Sequence, residues 1–454
     1  MTHISREAPP AEVSRPTGTK QAGEIRARWA WTEPAAWTDR MLAALEQGVK
    51  GGVWFSLMDK VYAPRALTAS WQQVRSNRGS GGVDRETVQQ FSRHAEKRLG
   101  SLSQSLKDGS YQPLPVRRVY IPKPDGARRP LGIPAVRDRI VQGALRNVLE
   151  PIFEGEFCEH SYGFRPGRGA KDALRRVDGL LSKGCRYVVD ADVKSYFDTI
   201  PHDRLMALVE GRVADGRVLS LIRAFLKQGV LDGMRAWTPA QGTPQGAVIS
   251  PLLANIYLHP LDSLMRGAGH EMTRYADDFV VLCRTLDEAE RALTMIRQWV
   301  EQAGLLLHPD KTRIVDMNEP GGFDFLGYHF ERSGGDPTRI DRRPRHGSLR
   351  KFKDTIRRKT KRANGHSLEA IIADVNRTTR GWYEYFKHSH RFVFSSLDGW
   401  IRMRLRSILR KRIKLRGRGR GRDHHRWPNA YFAAHGLFTM RAAHASACRP
   451  LGAH

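Results

Sequence analysis

Two adjacent aspartates, Asp277 and Asp278, stand in a segment whose other residues are mostly apolar. Because apolar residues flank the pair on both sides, the pattern predicts a strand, a tight turn and a second strand. Two neighbouring carboxylates at such a hairpin tip are costly unless a cation neutralises them. The pair therefore indicates a metal site, although an ordinary Asp-Asp turn remains the alternative.

A third carboxylate, Asp192, favours the metal site over the ordinary turn. It ends the segment Tyr187–Asp192, which begins as a buried strand, so its carboxylate can face the predicted hairpin tip. Mg²⁺ prefers hard oxygen ligands and is usually held by one or two carboxylates together with substrate phosphates. Two such ions, roughly 4 Å apart, activate a hydroxyl nucleophile and stabilise a departing pyrophosphate. The three acids therefore predict nucleotidyl transfer.

The elements that must position these acids alternate between strands and helices, which predicts an α+β body. The sequence predicts a β-hairpin over 115–134 with its turn at 124–126, and strands over 187–193 and 275–282. Helical patterns occupy 54–99, where residues 79–82 interrupt them, and 136–153, 203–228, 250–265 and 286–303. After about residue 345 only helices are predicted, over 349–362, 368–388 and 397–415. Prolines predict that the first fifty or so residues are weakly structured.

The charge of the chain indicates a polyanionic partner. Lys and Arg number 76 against 47 Asp and Glu, and the excess is uneven: residues 342–426 contain 27 basic residues and 6 acidic ones. Neutralised phosphates release counterions, which favours nucleic acid. An anionic membrane surface is the other possible partner, and a merely soluble basic protein is the plain alternative. Aromatic residues within the basic region, such as Trp382 and Tyr385, suit nucleic acid better.

Cysteine use and hydropathy exclude several classes of protein. The four cysteines, Cys158, Cys185, Cys283 and Cys448, are scattered, which argues against a zinc module and against a disulfide framework. Most of them are expected to be buried and reduced. No apolar run reaches 18 residues, and the N-terminus shows no secretory signal. A cytoplasmic protein without a membrane span is therefore expected.

Here the motifs resemble a known family. Tyr275-Ala276-Asp277-Asp278 resembles the reverse transcriptase signature, and the segment 192–198 resembles the first catalytic motif of those enzymes. The resemblance implies that Asp192, Asp277 and Asp278 are catalytic and bind two Mg²⁺ ions. It also implies that Phe197 is the steric gate that excludes a 2′-hydroxyl. Asp190 and Asp198 are expected to be neighbouring acids but not ligands.

Other segments resemble the same family in the expected order. Residues 119–134 resemble the fingers hairpin, in which Lys123 and Arg129 would bind the incoming triphosphate, although on spacing alone both could be surface charges. Residues 242–257 resemble the motif that binds template and nucleotide through Gln245 and Gly246. Lys311, in 308–312, is expected to lie near the nucleotide, where it could protonate pyrophosphate or form a structural salt bridge. The residues expected to contact template or primer are Arg165 and Arg168 in 164–168, Tyr275, and Gly327 in the primer-grip segment 323–328.

The block 242–257 and the leading segments 57–62 and 76–84 are similar to the group II intron type of reverse transcriptase. Residues 381–386 and 426–431 resemble its maturase region. The basic residues expected to bind RNA are Lys351, Arg358, Lys361, Arg416, Arg418 and Arg420. The Gly/Arg alternation at 416–422 is either a flexible linker or an arginine arm on RNA, and the two are compatible. Without paired cysteines in the tail, no endonuclease module is expected.

These observations predict a right-hand polymerase whose fingers and palm, with an antiparallel sheet, are followed by an all-helical thumb/maturase domain. The expected divisions are an N-terminal extension (1–54), fingers and palm (55–340), thumb (341–415) and a basic C-terminal extension (416–454). The expected function is to bind a group II intron RNA, assist its splicing and copy it into DNA from a template-primer with deoxynucleoside triphosphates. Two alternatives remain: an RNA-binding splicing factor with an idle polymerase fold, and a reverse transcriptase domesticated for phage defence or CRISPR adaptation.

Overall fold

The structure is a computed structural model that describes residues 19–447 except 123–125, 127, 335, 337–338, 418 and 420. The strands are β1 (Val116–Pro122), β2 (Arg128–Ile133), β3 (Tyr187–Asp192), β4 (Val230–Asp232), β5 (Arg235–Trp237), β6 (Glu271–Tyr275), β7 (Asp278–Cys283), β8 (Arg313–Asp316), β9 (Phe323–Phe325), β10 (Tyr328–Arg332) and β11 (Ile340–Pro344). The helices that precede β3 are α1 (Thr19–Arg28), α2 (Asp39–Gln47), α3 (Met58–Tyr62), α4 (Pro64–Ser76), α5 (Val88–Ser92), α6 (Ala95–Asp108), α7 (Val136–Glu154) and α8 (Ala170–Ser182). Those that follow are α9 (Tyr196–Thr199), α10 (His202–Glu210), α11 (Gly216–Leu226), α12 (Ser250–Gly267), α13 (Leu286–Gln302), α14 (His346–Lys359), α15 (Leu368–Phe386), α16 (Arg391–Arg412), α17 (Arg422–Arg426), α18 (Asn429–Ala434) and α19 (Met440–Ala447). The α+β prediction is confirmed.

The antiparallel sheet in the order β6-β7-β3-β8 contains the predicted carboxylates. Side chains alternate between the two faces of this sheet, and both faces are covered by hydrophobic clusters. Val189 and Phe279 point into one hydrophobic cluster, while Val188 and Val280 point into another. Helices α12 and α13 contact the sheet, as does α8. Strand ends that sit between two packed layers are therefore held rigidly.

A second sheet, in the order β2-β1-β4-β5, includes the hairpin predicted from the sequence. Strands β1 and β2 pair antiparallel from Arg117↔Ile133 to Pro122↔Arg128, and β1 runs parallel to β4. The predicted turn residues Pro124 and Asp125 lie outside the described residues. A third, three-stranded sheet in the order β11-β10-β9 precedes the helical C-terminal part.

The prediction that the N-terminal residues are weakly structured is wrong for residues 19–47. Helices α1 and α2 form there, and Thr38 caps α2 by accepting a hydrogen bond from the amide of Met41. Trp37 is fully buried, and its indole N–H donates to the carbonyl of Asn147 in α7 at 3.0 Å. Pro34 lies in the turn between α1 and α2, and this segment is stabilised by burial against a distant helix.

The helical pattern predicted over 203–228 forms two helices, α10 and α11. The Asp215 carboxylate begins α11 by accepting hydrogen bonds from the amides of Arg217 and Val218. It also accepts from the amides of Leu57 and Met58, at 2.7 and 2.8 Å. The sequence signal for this break was an N-cap aspartate placed before an apolar run.

The helical C-terminal part includes more of the chain than the predicted thumb. Trp427, Phe432 and Met440 belong to the same hydrophobic cluster as Phe352 and Leu405. The Asp398 carboxylate accepts the amides of Met440 and Arg441, which ties α19 to α16. The described part of the extension over 416–454 is therefore packed onto the thumb helices and does not form a separate body. Across the described residues, no helix is both long and apolar enough to cross a membrane.

Candidate active site

The turn between β6 and β7 presents the adjacent aspartates, as the sequence predicted. Tyr275 ends β6, Asp278 begins β7, and the two pair across the hairpin. Ala276 takes a left-handed backbone with φ of +60°, which is unfavourable for a residue with a Cβ. Such backbone strain persists only where surrounding contacts enforce it.

A buried ion pair enforces this turn. The fully buried Arg274 donates from Nε to Asp262 Oδ1 at 2.7 Å and from Nη2 to Asp262 Oδ2 at 2.5 Å. Its Nη1 donates to the carbonyl of Ala276 and to Asn255 Oδ1, both at 2.9 Å. Asn255 in turn donates to the carbonyl of Gly163 at 2.8 Å. The guanidinium thus fixes the strained turn to α12 and to the loop at residue 163.

That loop lies flat against the aspartate turn because residue 163 is glycine. A Cβ on Gly163 would lie 2.2 Å from the amide nitrogen of Ala276. Backbone bonds on either side, from Tyr162 N–H to the Arg274 carbonyl and from Arg274 N–H to the His160 carbonyl, hold the approach. Arg274, Asp262, Asn255 and Gly163 were missed by the sequence reasoning. A charged residue in an apolar strand, with an acid and an amide seven residues apart on one helix face, was the available signal.

The third aspartate lies beside the turn. Asp192 ends β3, and its pairing partner in β7 is Asp278. Paired residues in antiparallel strands have Cα atoms about 4.5–5.5 Å apart, so the three carboxyl groups share one end of the sheet. Asp192 Oδ2 accepts a hydrogen bond from Lys311 Nζ at 2.6 Å, which forms the salt bridge that the sequence left as one alternative.

The electrostatics of the acids indicate that a cation is needed. Burial, followed by repulsion from Asp190, Asp277 and Asp192, raises the pKa of Asp278 from 3.8 to about 7. Burial also raises the pKa of Asp277, and that of Asp190 to about 6. In the described part of the chain, no three His, Cys, Asp or Glu side chains are already grouped closely enough to hold a metal ion. The donor set nevertheless fits a hard divalent cation, because carboxylate oxygens are hard ligands and the negative charges of Asp277 and Asp278 are disfavoured by burial and by the neighbouring acids.

Replacing Asp278 by asparagine is expected to stabilise the protein against alkaline pH in the absence of metal. Since the pKa of Asp278 is about 7 when folded and 3.8 when exposed, the folded state holds a proton that the unfolded state releases. Stability therefore falls as the pH rises from about 4 to about 7 and stays reduced above that. In a chelator, the Tm of the wild type should be lower at pH 8 than at pH 6, and Asp278→Asn should show a smaller decrease. An equal decrease in both proteins would contradict this account.

Two of the residues predicted to bind nucleotide, Arg129 and Gln245, are joined by a hydrogen bond. Gln245 Oε1 accepts a hydrogen bond from Arg129 Nε at 3.2 Å, and Gln245 Nε2 donates to Asp198 Oδ2 at 2.8 Å. Gly246 has φ of +102°, and a Cβ there would lie 2.5 Å from the carbonyl oxygen of Gly132. Phe197 is half-buried against the edge of Tyr196. Lys123 lies outside the described residues.

Among the residues predicted to contact nucleic acid, Arg165 requires correction. Its guanidinium is buried, pairs with Glu154, and donates to the carbonyls of Cys158 and Ser161. Such a side chain cannot reach a template; it holds the loop that precedes Gly163. Arg168 is nearer the surface, where its Nη1 donates to the Glu159 carbonyl at 2.5 Å.

The other residues predicted to contact nucleic acid differ in how far their side chains are exposed. Tyr275 is half-buried, with its ring 6.5 Å from that of Phe164. The carbonyl of Gly327 accepts the Arg345 amide and the Ser348 hydroxyl, so it is used within the fold. Of the basic residues predicted to bind RNA, Lys351, Arg358, Lys361 and Arg416 are exposed. Arg418 and Arg420 lie outside the described residues.

Known proteins match the same segments. The family profile described as reverse transcriptase (RNA-dependent DNA polymerase) matches residues 121–330, and that of the group II intron maturase-specific domain matches residues 349–427. The protein YkfC of Escherichia coli (strain K12) is 34% identical over 391 residues, which cover 77% of this chain and 95% of that protein. The group II intron-encoded protein LtrA of Lactococcus lactis is 41% identical over 205 residues, which cover 44% of this chain and only 34% of LtrA.

A third relative, a 91 kDa protein in the cob intron of Schizosaccharomyces pombe, is 40% identical over 204 residues, covering 44% of this chain and 25% of that protein. Reverse transcriptases of this kind bind an RNA template and generally use divalent metal ions. With both profiles matched in order and a relative matched over most of its length, the chain belongs to the family of group II intron-encoded reverse transcriptases with a maturase domain, and its catalytic class is RNA-directed DNA polymerase.

Proposed function

We propose that Asp192, Asp277 and Asp278 together hold two Mg²⁺ ions and that the chain extends a primer along an RNA template with deoxynucleoside triphosphates. The supporting observation is the pairing of Asp192 with Asp278 beside the turn that contains Asp277. Magnesium at this site supplies Lewis acidity to the attacking and departing oxygens. The buried Arg274 holds the turn in place, so the carboxylates need little reorganisation.

Lys311 is proposed to change partner when the site is filled. Its ammonium neutralises Asp192 in the structure, and a divalent cation on that carboxylate would compete with it. The released ammonium would then lie close enough to substrate phosphates to bind them or to donate a proton to pyrophosphate. Lys311 itself is more than half exposed, so this exchange costs little desolvation.

For the nucleotide, we assign binding of the triphosphate to Arg129 and Lys123. Gly246 is assigned the close approach of the protein backbone to the nucleotide. Burial raises the pKa of Asp277 and the charge of Arg129 partly offsets that rise, which supports a position of the guanidinium near the carboxylate site. Guanidinium groups suit phosphate oxygens because they donate several hydrogen bonds in one plane. Phe197 is assigned the exclusion of a 2′-hydroxyl.

For the second role, we propose that the helical part binds a group II intron RNA, assists its splicing and presents it for copying into DNA. Fingers and palm would occupy about 55–340, and the thumb the helices from 341 onward together with the packed segment 416–447. The exposed basic residues on α14 and after α16 provide phosphate contacts, which position RNA without reading its sequence. We place this activity in the cytoplasm, where RNA and nucleotides are available.

Two other functions remain to be compared with this one. A splicing factor with an idle polymerase fold would not need three carboxylates at one sheet end, where burial and mutual repulsion raise the pKa of Asp278 to about 7. A reverse transcriptase domesticated for phage defence or CRISPR adaptation would keep the polymerase site but lack intron boundaries in the flanking DNA. Primer extension on an RNA template, with and without a chelator, tests the polymerase assignment: DNA product that requires Mg²⁺ is expected.

RNA affinity is expected to depend steeply on salt. If six to ten phosphates are contacted, the affinity should fall by roughly a thousandfold or more between about 50 and 200 mM salt. Replacing Lys351, Arg358 and Lys361 by glutamine should make the dependence shallower, because three counterion-releasing contacts are removed. Filter binding at several salt concentrations measures both slopes, and identical slopes would exclude α14 from the RNA surface.

A further inference from the structure

The side-chain amide of Gln245 lies between two charged groups of opposite sign. Its Nε2 donates to Asp198 Oδ2 at 2.8 Å, and its Oε1 accepts from Arg129 Nε at 3.2 Å. The three residues come from different parts of the fold: Arg129 from β2, Gln245 from the loop before α12, and Asp198 from α9, just after β3. They form a connected chain of hydrogen bonds that ends at the edge of the carboxylate site.

The chain of bonds has a fixed polarity. An ionised carboxylate only accepts hydrogen bonds, and a guanidinium only donates them. Asp198 therefore requires the NH₂ end of the Gln245 amide, and Arg129 requires its carbonyl end. Either charged group alone would favour this orientation, and the two together exclude the flipped amide, which would bring donor to donor at Arg129.

The loop that carries Gln245 does not depend on the Asp198 carboxylate for its position. The amide of Thr243 donates to the Phe197 carbonyl at 2.7 Å, and the amide of Gly132 donates to the Gln245 carbonyl at 2.7 Å. A Cβ on Gly242 would lie 2.7 Å from the backbone oxygen of Asp198, so the two segments are in direct backbone contact. Removing the carboxylate should therefore free the Gln245 side chain while the backbone stays in place.

The position of Arg129 is what the chain of bonds controls. Gln245 Oε1 holds the Nε of Arg129 at 3.2 Å, and the positive charge of Arg129 interacts electrostatically with the carboxylates of Asp198 and Asp277. Without Gln245 holding Nε, attraction to Asp277 would be less opposed. The remaining N–H groups of the guanidinium are donors of the kind that bind triphosphate oxygens.

We propose that Asp198 is a positioning residue for the incoming nucleotide: it orients the Gln245 amide, and through it the Arg129 guanidinium, for binding of the triphosphate. The proposal rests on the polymerase function proposed above. Asp198 is not a metal ligand in this account, and its effect is on nucleotide binding. Because a hydrogen bond to a charged group is lost, the effect should appear in KM for the deoxynucleotide, with little change in kcat.

The test is steady-state single-nucleotide extension by the full-length protein on an RNA template at saturating Mg²⁺. Asp198→Leu should raise KM by roughly ten- to hundredfold. Asp198→Asn can still accept from Gln245 through its amide oxygen, so its KM should stay within about threefold of the wild type. Asp203→Asn, which changes an exposed acid at the start of α10, is the matched control and should leave KM unchanged.

A double variant tests whether Asp198 acts through Arg129. Arg129→Leu removes the residue through which the hydrogen bonds from Asp198 and Gln245 act. Adding Asp198→Leu to Arg129→Leu should therefore raise KM no further. Multiplicative effects of the two substitutions, or an unchanged KM in Asp198→Leu, would overturn the proposal. A lowered kcat with normal KM would also overturn it, because that pattern points to the chemical step. Absence of synthesis by the wild type would instead refute the polymerase function on which the proposal rests.

Discussion

Replacing Asp277 by asparagine should lower DNA synthesis by roughly a thousandfold or more while leaving RNA binding intact. Asparagine has the size of aspartate but lacks the charge that a divalent cation requires. Asp277 is half-buried, and its neighbours Asp192 and Asp278 are both acidic, so loss of one negative charge should not unfold the turn. The Arg274 contacts with Ala276 and Asp262 also remain.

Primer extension and RNA filter binding on the same preparation measure the two effects. The matched control is Asp287→Asn, which removes an exposed acid from the first turn of α13. That variant should synthesise DNA like the wild type. If Asp277→Asn lost RNA affinity together with synthesis, the separation between a polymerase role and an RNA-binding role would be refuted. Substantial remaining synthesis would remove Asp277 from the site.

The parts of the site that the sequence predicted are those set by local pattern. A two-residue turn between apolar strands fixes where Asp277 and Asp278 lie, and a strand of alternating burial fixes the face of Asp192. The register of β3 against β7 follows from burial on both faces, because a slip of one residue would exchange the two sets of side chains. The hairpin of β1 and β2 was predicted from the apolar residues on either side of the turn signal at 124–126.

The parts that the sequence did not predict depend on distant contacts. The sequence assigns no role to Arg274, and only the fold shows that its guanidinium contacts Asp262 and Asn255. Arginine often contacts phosphate, but the Arg165 side chain is buried and forms an ion pair with Glu154. Nothing local in the sequence distinguishes a basic residue that faces RNA from one that holds a loop.

The structure near both ends of the described residues also depends on distant contacts. The prolines and charges of the first fifty residues indicate weak structure, yet Trp37 and Leu42 are buried against the rest of the fold. At the other end, Trp427 and Phe432 follow a Gly/Arg stretch and still enter the thumb core. In both segments the burial of the apolar residues depends on distant contacts, either with a helix more than a hundred residues away or with α16.

Shortening Phe197 to alanine should admit ribonucleotides, because the bulk that excludes a 2′-hydroxyl would be lost. The ring is held from behind by its edge contact with Tyr196, whose hydroxyl donates to the Ala254 carbonyl at 2.6 Å. The Phe197 carbonyl accepts the Thr243 amide, and that backbone bond survives the substitution. The preference for deoxynucleotides should therefore fall by roughly a hundredfold without loss of the fold.

The measurement is kcat/KM for matched deoxy- and ribonucleoside triphosphates in single-nucleotide extension. Phe392→Ala, which shortens an exposed phenylalanine of α16, serves as the control and should keep the wild-type preference. The change should arise from faster use of ribonucleotides, with the rate for deoxynucleotides little altered, because in the proposed site the space opened would lie beside the sugar. If the preference were unchanged while deoxynucleotides were still incorporated, another side chain would have to exclude the 2′-hydroxyl. Since Asp198 adjoins Phe197, Asp198→Leu measured in parallel separates the two effects: it should weaken binding of both sugars equally and leave their ratio unchanged.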